Sequence, residues 1–299
     1  MLSARMMAFS IRYSFSVVFS KNVLGDCLLA DTLKNIDIAL YDIDEARLED
    51  SFRVISSINL KYGSGATIKK YAGTARRREA LRGADFVVNA IHVGGYDPCT
   101  ITDFEIPKKY GLRQTIGDTL GIGGIFRGLR TIPVLLDFAG DMESVCPNAW
   151  FLNYTNPMAI LTGAMLRGTG IKTVGLCHSV QVCVWSLLNS VGMLDQDDGS
   201  ICSHIAGINH QSWLLSVTKD GRDMYPEIKR RAAAGEITDE RNLVRLEIMK
   251  RFGYYVTESS EHMSEYVPYF IKSRSSELIE RYNIPLDEYP RRCKEQITY

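Results

Sequence analysis

The stretch NIDIALYDIDEARLEDSFRVISSINLKYG (35–63) carries the reading that decides the fold. Ile36 to Tyr41 is a short apolar run that closes on Asp42, the pattern of a buried strand. Asp44 follows as an N-cap, and Ala46, Leu48, Phe52, Val54, Ile55, Ile58 and Leu60 then broadly follow helical spacing. A strand that runs straight into an amphipathic helix is half of a parallel crossover unit. Outward from this segment the alternation recurs, with candidate strands at Met7–Ile11, Ile68–Tyr71, Phe86–Ile91, Trp150–Leu152 and Thr173–Leu176. Together they predict a doubly wound parallel sheet.

From about Ile201 the character changes. Alternating apolar residues in Ser212–Lys219 end at Asp220-Gly221, a hairpin signal, and charge-rich helical patterns follow from Tyr225 to Arg251. The expected organisation is therefore a dinucleotide-binding domain at 1–200 and an α+β substrate- and metal-binding domain at 201–299. RRAAAGE (230–236) reads as a flexible loop.

Composition narrows the function. Lys plus Arg number 35 and Asp plus Glu number 35, so no net field recruits nucleic acid or an anionic membrane surface. A small-molecule partner is expected. Seven cysteines, scattered without close pairs, argue against a disulfide framework and for a reducing cytoplasm. The opening MLSARMMAFSIRYSFSVVFS (1–20) reads as a first strand rather than a targeting segment, because Arg12 and four serines interrupt its apolar part. No 18-residue apolar run occurs, so no membrane span is expected.

A dinucleotide unit needs an acid at the end of its second strand, and Asp42 stands there to take ribose hydroxyls. The first turn should be rich in glycine, yet Tyr13-Ser-Phe-Ser16 has none, and side chains there would fill the phosphate space. Gly121-Ile-Gly123-Gly124 opens a helical run from Ile125 to Phe138 and, beside Asp118, Arg127 and Arg130, makes a second candidate for anion binding. Asn89, or the loop with His92, Gly94 and Gly95, is placed to touch the nicotinamide end. Three segments then put polar groups after apolar strands: Asn153-Tyr-Thr-Asn156, Cys177-His178-Ser179 and Asn209-His210. Cys177 with His210 is a candidate pair for a divalent metal, against the alternative that both are structural, and a thiolate favours zinc or iron over manganese.

QTIGDTLGIGGIFRGLRTIP (114–133), NYTNPM (153–158), GLCHSV (175–180), AGINH (206–210) and YYVTESSEHMSEY (254–266) together resemble glycoside hydrolase family 4 from about Lys21 onward. The resemblance implies a Rossmann-like, malate-dehydrogenase-like domain with NAD bound, followed by a substrate domain. It also implies Mn²⁺ or another divalent metal on Cys177 and His210. Cys-His-Ser-Val is similar to the α-galactosidase branch, so the implied substrate is an α-galactoside, and phosphorylated sugars are not expected. The family is an exception to the two-carboxylate rule of glycosidases. Its implied route oxidises the sugar at C3, removes the C2 proton, eliminates the glycosidic oxygen, adds water and reduces C3 again.

By the same resemblance Tyr266 is the base, with Tyr255 and Tyr269 as alternatives, and a metal or cation must lower its pKa from near 10. The acid is His178 or Asp118. Asn156 and Arg292 would hold substrate hydroxyls, as would Glu258, Glu261 and His262 unless these merely cap a helix. A homo-oligomer is expected. Two departures from the family pattern, the altered turn at 13–16 and family chains that continue beyond Tyr299, make an impaired or truncated homologue the second reading. An NAD-dependent sugar or hydroxy-acid dehydrogenase is the third.

Overall fold

The computed structural model describes residues 5–9, 15–196, 199–272 and 276–297. They form β1 (Arg5–Phe9), α1 (Phe15–Leu29), β2 (Asp37–Asp42), α2 (Glu45–Lys61), β3 (Thr67–Ala72), α3 (Arg77–Leu81), β4 (Phe86–Asn89), α4 (Ile101–Lys109) and α5 (Gly121–Val145). There follow β5 (Trp150–Asn153), α6 (Met158–Gly168), β6 (Lys172–Gly175), α7 (Ser179–Ser190), β7 (Ile201–Ile208), β8 (Gln211–Lys219) and β9 (Arg222–Asp223). The last elements are α8 (Tyr225–Ala234), α9 (Leu243–Phe252), β10 (Tyr255–Val256), α10 (Ser260–Tyr266), α11 (Ser276–Arg281) and α12 (Glu288–Ile297). Among the described residues no helix is long and apolar enough to cross a membrane.

The chain divides into two compact units, one of residues 1–102, 124–176 and 291–299, the other of 103–123 and 177–290. This interleaved division differs from a single break at 200, because the segment before α5 and the whole of α7 pack with the later residues.

The first unit is a six-stranded sheet in the order β3-β2-β1-β4-β5-β6, parallel throughout. This is the expected doubly wound, Rossmann-like arrangement. Along β2, Ile38 and Leu40 point to one core with Leu24, Leu28, Leu48 and Ile55, while Ala39 and Tyr41 point to the other with Leu81, Leu135, Phe138 and Met142. The two-residue period thus places helices on both faces. Asp44 caps α2 by accepting the Arg47 amide at 3.0 Å, as its position before the periodic run predicts. The first strand begins two residues earlier than expected, at Arg5, and its expected end at Ser10 and Ile11 lies outside the described residues. Tyr13 and Ser14 of the altered turn lie outside the described residues, while Phe15 and Ser16 begin α1.

The second unit holds an antiparallel sheet, β10-β8-β7 with β9 paired to β8, whose β8–β9 turn is the expected Asp220-Gly221, both with positive φ. The burial alternation of β8 passes from Ser212 and Leu214 to Val217 across a register shift opposite His204 and Ile205, a bulge that admits Leu215 as an extra residue. RRAAAGE is not a loop. Its first five residues are the last turns of α8, and Gly235 closes the helix in the left-handed region at φ 75°.

Candidate functional site

In the first unit strand order reverses between β1 and β4, the place where open sheets bind ligands beyond their carboxyl ends. Asp42 ends β2 there. It is 3% exposed, and its carboxylate accepts the Asp44 amide at 2.9 Å and Arg47 Nε at 2.7 Å, with a second Arg47 nitrogen also in contact. A ribose would meet only its remaining lone pairs. Asn89 ends β4 and is fully buried, donating from Nδ2 to Asn153 Oδ1 at 2.8 Å and to Thr155 Oγ1 at 3.3 Å. Thr155 in turn donates from Oγ1 to the Ile91 carbonyl at 3.0 Å and from its backbone amide to Asn153 Oδ1 at 3.1 Å. The amide of Asn89 therefore ties two strand ends together and leaves its oxygen for anything further. Asn156 is half-buried before α6, with Oδ1 accepting the Met158 amide at 3.3 Å, and Arg292 is exposed on α12.

In the second unit the segment 114–123 is pinned from several sides. Gln114 donates to the Asp103 carbonyl at 2.9 Å and accepts the Gly123 amide at 3.0 Å. A Cβ on Gly123 would stand 2.4 Å from the Gly117 carbonyl oxygen, so the fold of this segment by itself requires glycine there. This corrects the anion-binding expectation for Gly123, whose amide is already satisfied. Gly121 is exposed at φ 76° and opens α5. Glu265 accepts the amides of Thr115 and Gly117 at 2.8 and 3.0 Å. Burial pushes the Glu265 carboxyl up to about 7, with Asp118 adding to the shift and the two amides opposing it.

These contacts place Asp118 and Thr119 against His210. Thr119 donates to Asp118 Oδ1 at 2.7 Å, and its oxygen is 3.0 Å from His210 Nδ1. His210 follows Asn209 in the two-residue connection between β7 and β8 and stands at φ 61°, a strained conformation for a residue other than glycine. Asn209 buries both amide atoms without a protein partner. The two faces of the imidazole differ. Nδ1 meets Tyr266 Oη at 3.1 Å, while Nε2 lies 3.5 Å from Cys177 Sγ and 3.0 Å from Glu258 Oε2. The donor atoms of Cys177, His210 and Glu258 all fall within 4.8 Å of one another. A thiol, an imidazole nitrogen and a carboxylate oxygen at these separations fit a divalent cation, with Nδ1 carrying the proton as ligation through Nε2 requires.

Burial works against ionisation of Cys177, yet hydrogen bonds from His210 and Ser179 bring its pKa below the usual value. Glu258 behaves alike: burial is outweighed by His262, His210, Ser179 and the Ser259 amide. Tyr266 is the reverse. Burial, then the charges of Asp118, Glu265 and Glu258, push its phenol well above the usual 10.0, with Thr119 opposing. Its Oη is 2.6 Å from Nδ1 of His262, whose imidazole burial holds below its usual pKa and so able to accept a hydrogen bond.

Cys177, His210, Tyr266 and Asp118 thus converge in one unit. His178 is exposed at the N-cap position of α7 and makes no side-chain capping hydrogen bond. Tyr255 is fully buried in the core beneath β8, and Tyr269 is half exposed against Phe252, so neither alternative to Tyr266 reaches His210 by a hydrogen bond shown here. Glu258 and His262, expected only as a polar cluster, prove to face the metal-type donors and the tyrosine respectively. Thr119 and Glu265 were not anticipated. The i,i+4 spacing of His262 and Tyr266 on α10 was a signal for the first pair, but nothing local marks Glu265, whose partners are backbone amides far away in the chain.

The profile described as family 4 glycosyl hydrolase matches residues 14–193, and that of the family 4 glycosyl hydrolase C-terminal domain matches 205–298. An α-galactosidase of Bacillus subtilis (strain 168) is 61% identical over 282 residues, which cover 94% of this chain and 64% of that relative's length. The chain therefore spans less than two thirds of this relative. A 6-phospho-α-glucosidase from gut microorganisms, solved with NAD and Mn²⁺, shares the fold at a TM-score of 0.72 and 20% identity, covering 99% of this chain and 69% of that one. Malate dehydrogenase of Picrophilus torridus shares it at a TM-score of 0.51 and 16% identity, over 88% and 72% of the two chains.

Proposed function

Because this chain belongs to family 4 of the glycosyl hydrolases, we propose that it carries the site of an NAD- and divalent-metal-dependent enzyme that hydrolyses α-galactosides. The observation that carries the reading is the two-sided environment of His210, with Cys177 Sγ at 3.5 Å from one ring nitrogen and Tyr266 Oη at 3.1 Å from the other. The galactoside is supported by the 61% identical α-galactosidase and by Cys-His-Ser-Val at 177–180. The reading of NAD and manganese draws on the related structure solved with both. Seven cysteines scattered without close pairs in the sequence suit a reducing cytoplasm.

Cys177 and His210 would hold the metal, and Asp42, Asn89 and Gly121 are the residues for the dinucleotide. When bound, the cation supplies Lewis acidity toward a sugar oxygen and the dinucleotide exchanges a hydride with a sugar carbon. The chain's own groups do the rest. Protonated Nδ1 of His210 donates toward Tyr266 Oη and Thr119 Oγ1, which fixes the ring for ligation through Nε2. Tyr266 donates its own hydroxyl hydrogen to His262 Nδ1, so the phenol has an acceptor for its proton when it acts as base at sugar C2. Its pKa is raised by burial first and then by the charges of Asp118, Glu265 and Glu258, and a nearby cation would oppose that shift.

For the acid we favour His178 over Asp118. Asp118 shares its surroundings with the base, since its charge acts on His210, His262 and Tyr266, whereas His178 is an exposed imidazole next to Cys177. Asn156 and Arg292 remain the residues for sugar hydroxyls. The test is hydrolysis of an aryl α-galactoside with NAD⁺, Mn²⁺ and a thiol reductant, each omitted in turn. Activity lost on either omission supports the reading; hydrolysis independent of both NAD⁺ and metal sinks it.

A further inference from the structure

We infer that Glu258 is a third protein ligand to the divalent cation and binds it through Oε2 alone. This rests on the assignment of Cys177 and His210 as ligands. Oε2 is 3.0 Å from His210 Nε2, and all three donor atoms lie within 4.8 Å of one another. Ligands bound at about 2.0 to 2.3 Å from one ion stand roughly 3 to 4 Å apart, so the three already have nearly the spread of a shared coordination sphere.

The carboxylate is held in the required orientation. Its other oxygen, Oε1, accepts the Ser259 amide at 2.9 Å, which leaves Oε2 to face the cluster. Ser179 lies between the two anionic donors, 2.7 Å from Cys177 Sγ and donating to Glu258 Oε2 at 2.7 Å. The backbone leading to Glu258 is anchored too. Arg245, 4% exposed, donates to the carbonyls of Val256 and Thr257 at 2.8 and 3.0 Å. Such outer contacts fix ligand direction before the ion arrives.

The third ligand changes the chemistry of the site. Thiolate and carboxylate together balance the two charges of the cation, which matters where burial makes net charge costly. A carboxylate oxygen is also a hard donor, and it moves a sulfur–nitrogen site from zinc or iron toward manganese. With three protein ligands the cation would still have room for substrate oxygen and water.

The experiment compares Mn²⁺ and Zn²⁺ affinities of the 299-residue chain, Glu258→Gln and Cys177→Ser by calorimetry, with metal-free melting temperatures as the folding control. Glu258→Gln should weaken Mn²⁺ binding by at least about 10- to 100-fold and Zn²⁺ binding by less. Water-proton relaxation should also show one more water on its bound Mn²⁺ than on that of the unaltered chain. Unchanged Mn²⁺ affinity in Glu258→Gln, with Cys177→Ser impaired, would overturn the role of Glu258 and leave the other two ligands standing. No Mn²⁺ binding by the unaltered chain, or equal binding by Cys177→Ser, would overturn the two-ligand reading and this inference with it.

Discussion

The carboxyl rim of the parallel sheet and the cluster around His210 are both polar and buried, and they are built in opposite ways. At the rim, Asn89, Asn153 and Thr155 satisfy one another, and Asp42 is matched by Arg47. In the cluster, burial first and then neighbouring charges and hydrogen bonds shift the pKa values of Cys177, Glu258, Glu265, His262 and Tyr266, and Asn209 keeps both amide atoms unpartnered. Matched groups are held in place before any ligand arrives, with only the Asn89 oxygen and the remaining lone pairs of Asp42 left to meet a dinucleotide. Crowded titratable groups that perturb one another mark the place where a ligand completes the arrangement.

The sharpest way to break this contrast is Cys177→Ala. Turnover of an aryl α-galactoside should fall by at least about 10⁴-fold, because a missing Lewis acid removes several kcal/mol of transition-state stabilisation, while the melting temperature of the metal-free protein should hold. Tyr266→Phe should lower kcat on the order of 10³-fold with little change in Mn²⁺ affinity, since it deletes the base and leaves the metal donors in place.

Glu265 tests the cluster through stability. Its folded pKa is raised from 4.5 to about 7, so its contribution to stability is fully present below about 4.5 and is lost as pH rises through 7. Over that window it should remove about 3 kcal/mol, and Glu265→Gln should flatten the corresponding fall in denaturant midpoint. A wild-type and variant slope that coincide would mean the carboxyl is not perturbed. The smallest effect belongs to the rim. Asn89→Ala should cost about 1 to 3 kcal/mol in denaturant stability by leaving Asn153 and Thr155 without their shared donor, and should leave Mn²⁺ affinity unchanged.

The sheet was legible in the sequence because each strand is a short apolar run whose alternate residues face two separate cores, as Ile38 and Ala39 do. RRAAAGE reads as a loop because it has no apolar period, yet alanine and arginine favour helix and Gly235 ends it. The site was legible in a different sense. Cys177, His210 and Tyr266 lie far apart in the chain, and spacing alone left the metal pair as one possibility beside a structural one; the family resemblance singled them out. Gly123 was misread because a glycine excluded from bearing a side chain by Gly117 and Gln114 looks the same in sequence as one that admits a phosphate. Glu258 was legible only as part of a polar cluster and Glu265 not at all, since the first is aimed by a serine of α7 and the second by backbone amides of a distant segment.

The most direct test of the proposed chemistry is hydrolysis of an α-galactoside in D₂O with NAD⁺ and Mn²⁺ present. If Tyr266 removes the proton at sugar C2 during turnover, the galactose released should carry deuterium at C2. Complete hydrolysis that leaves only protium at that carbon would contradict the account.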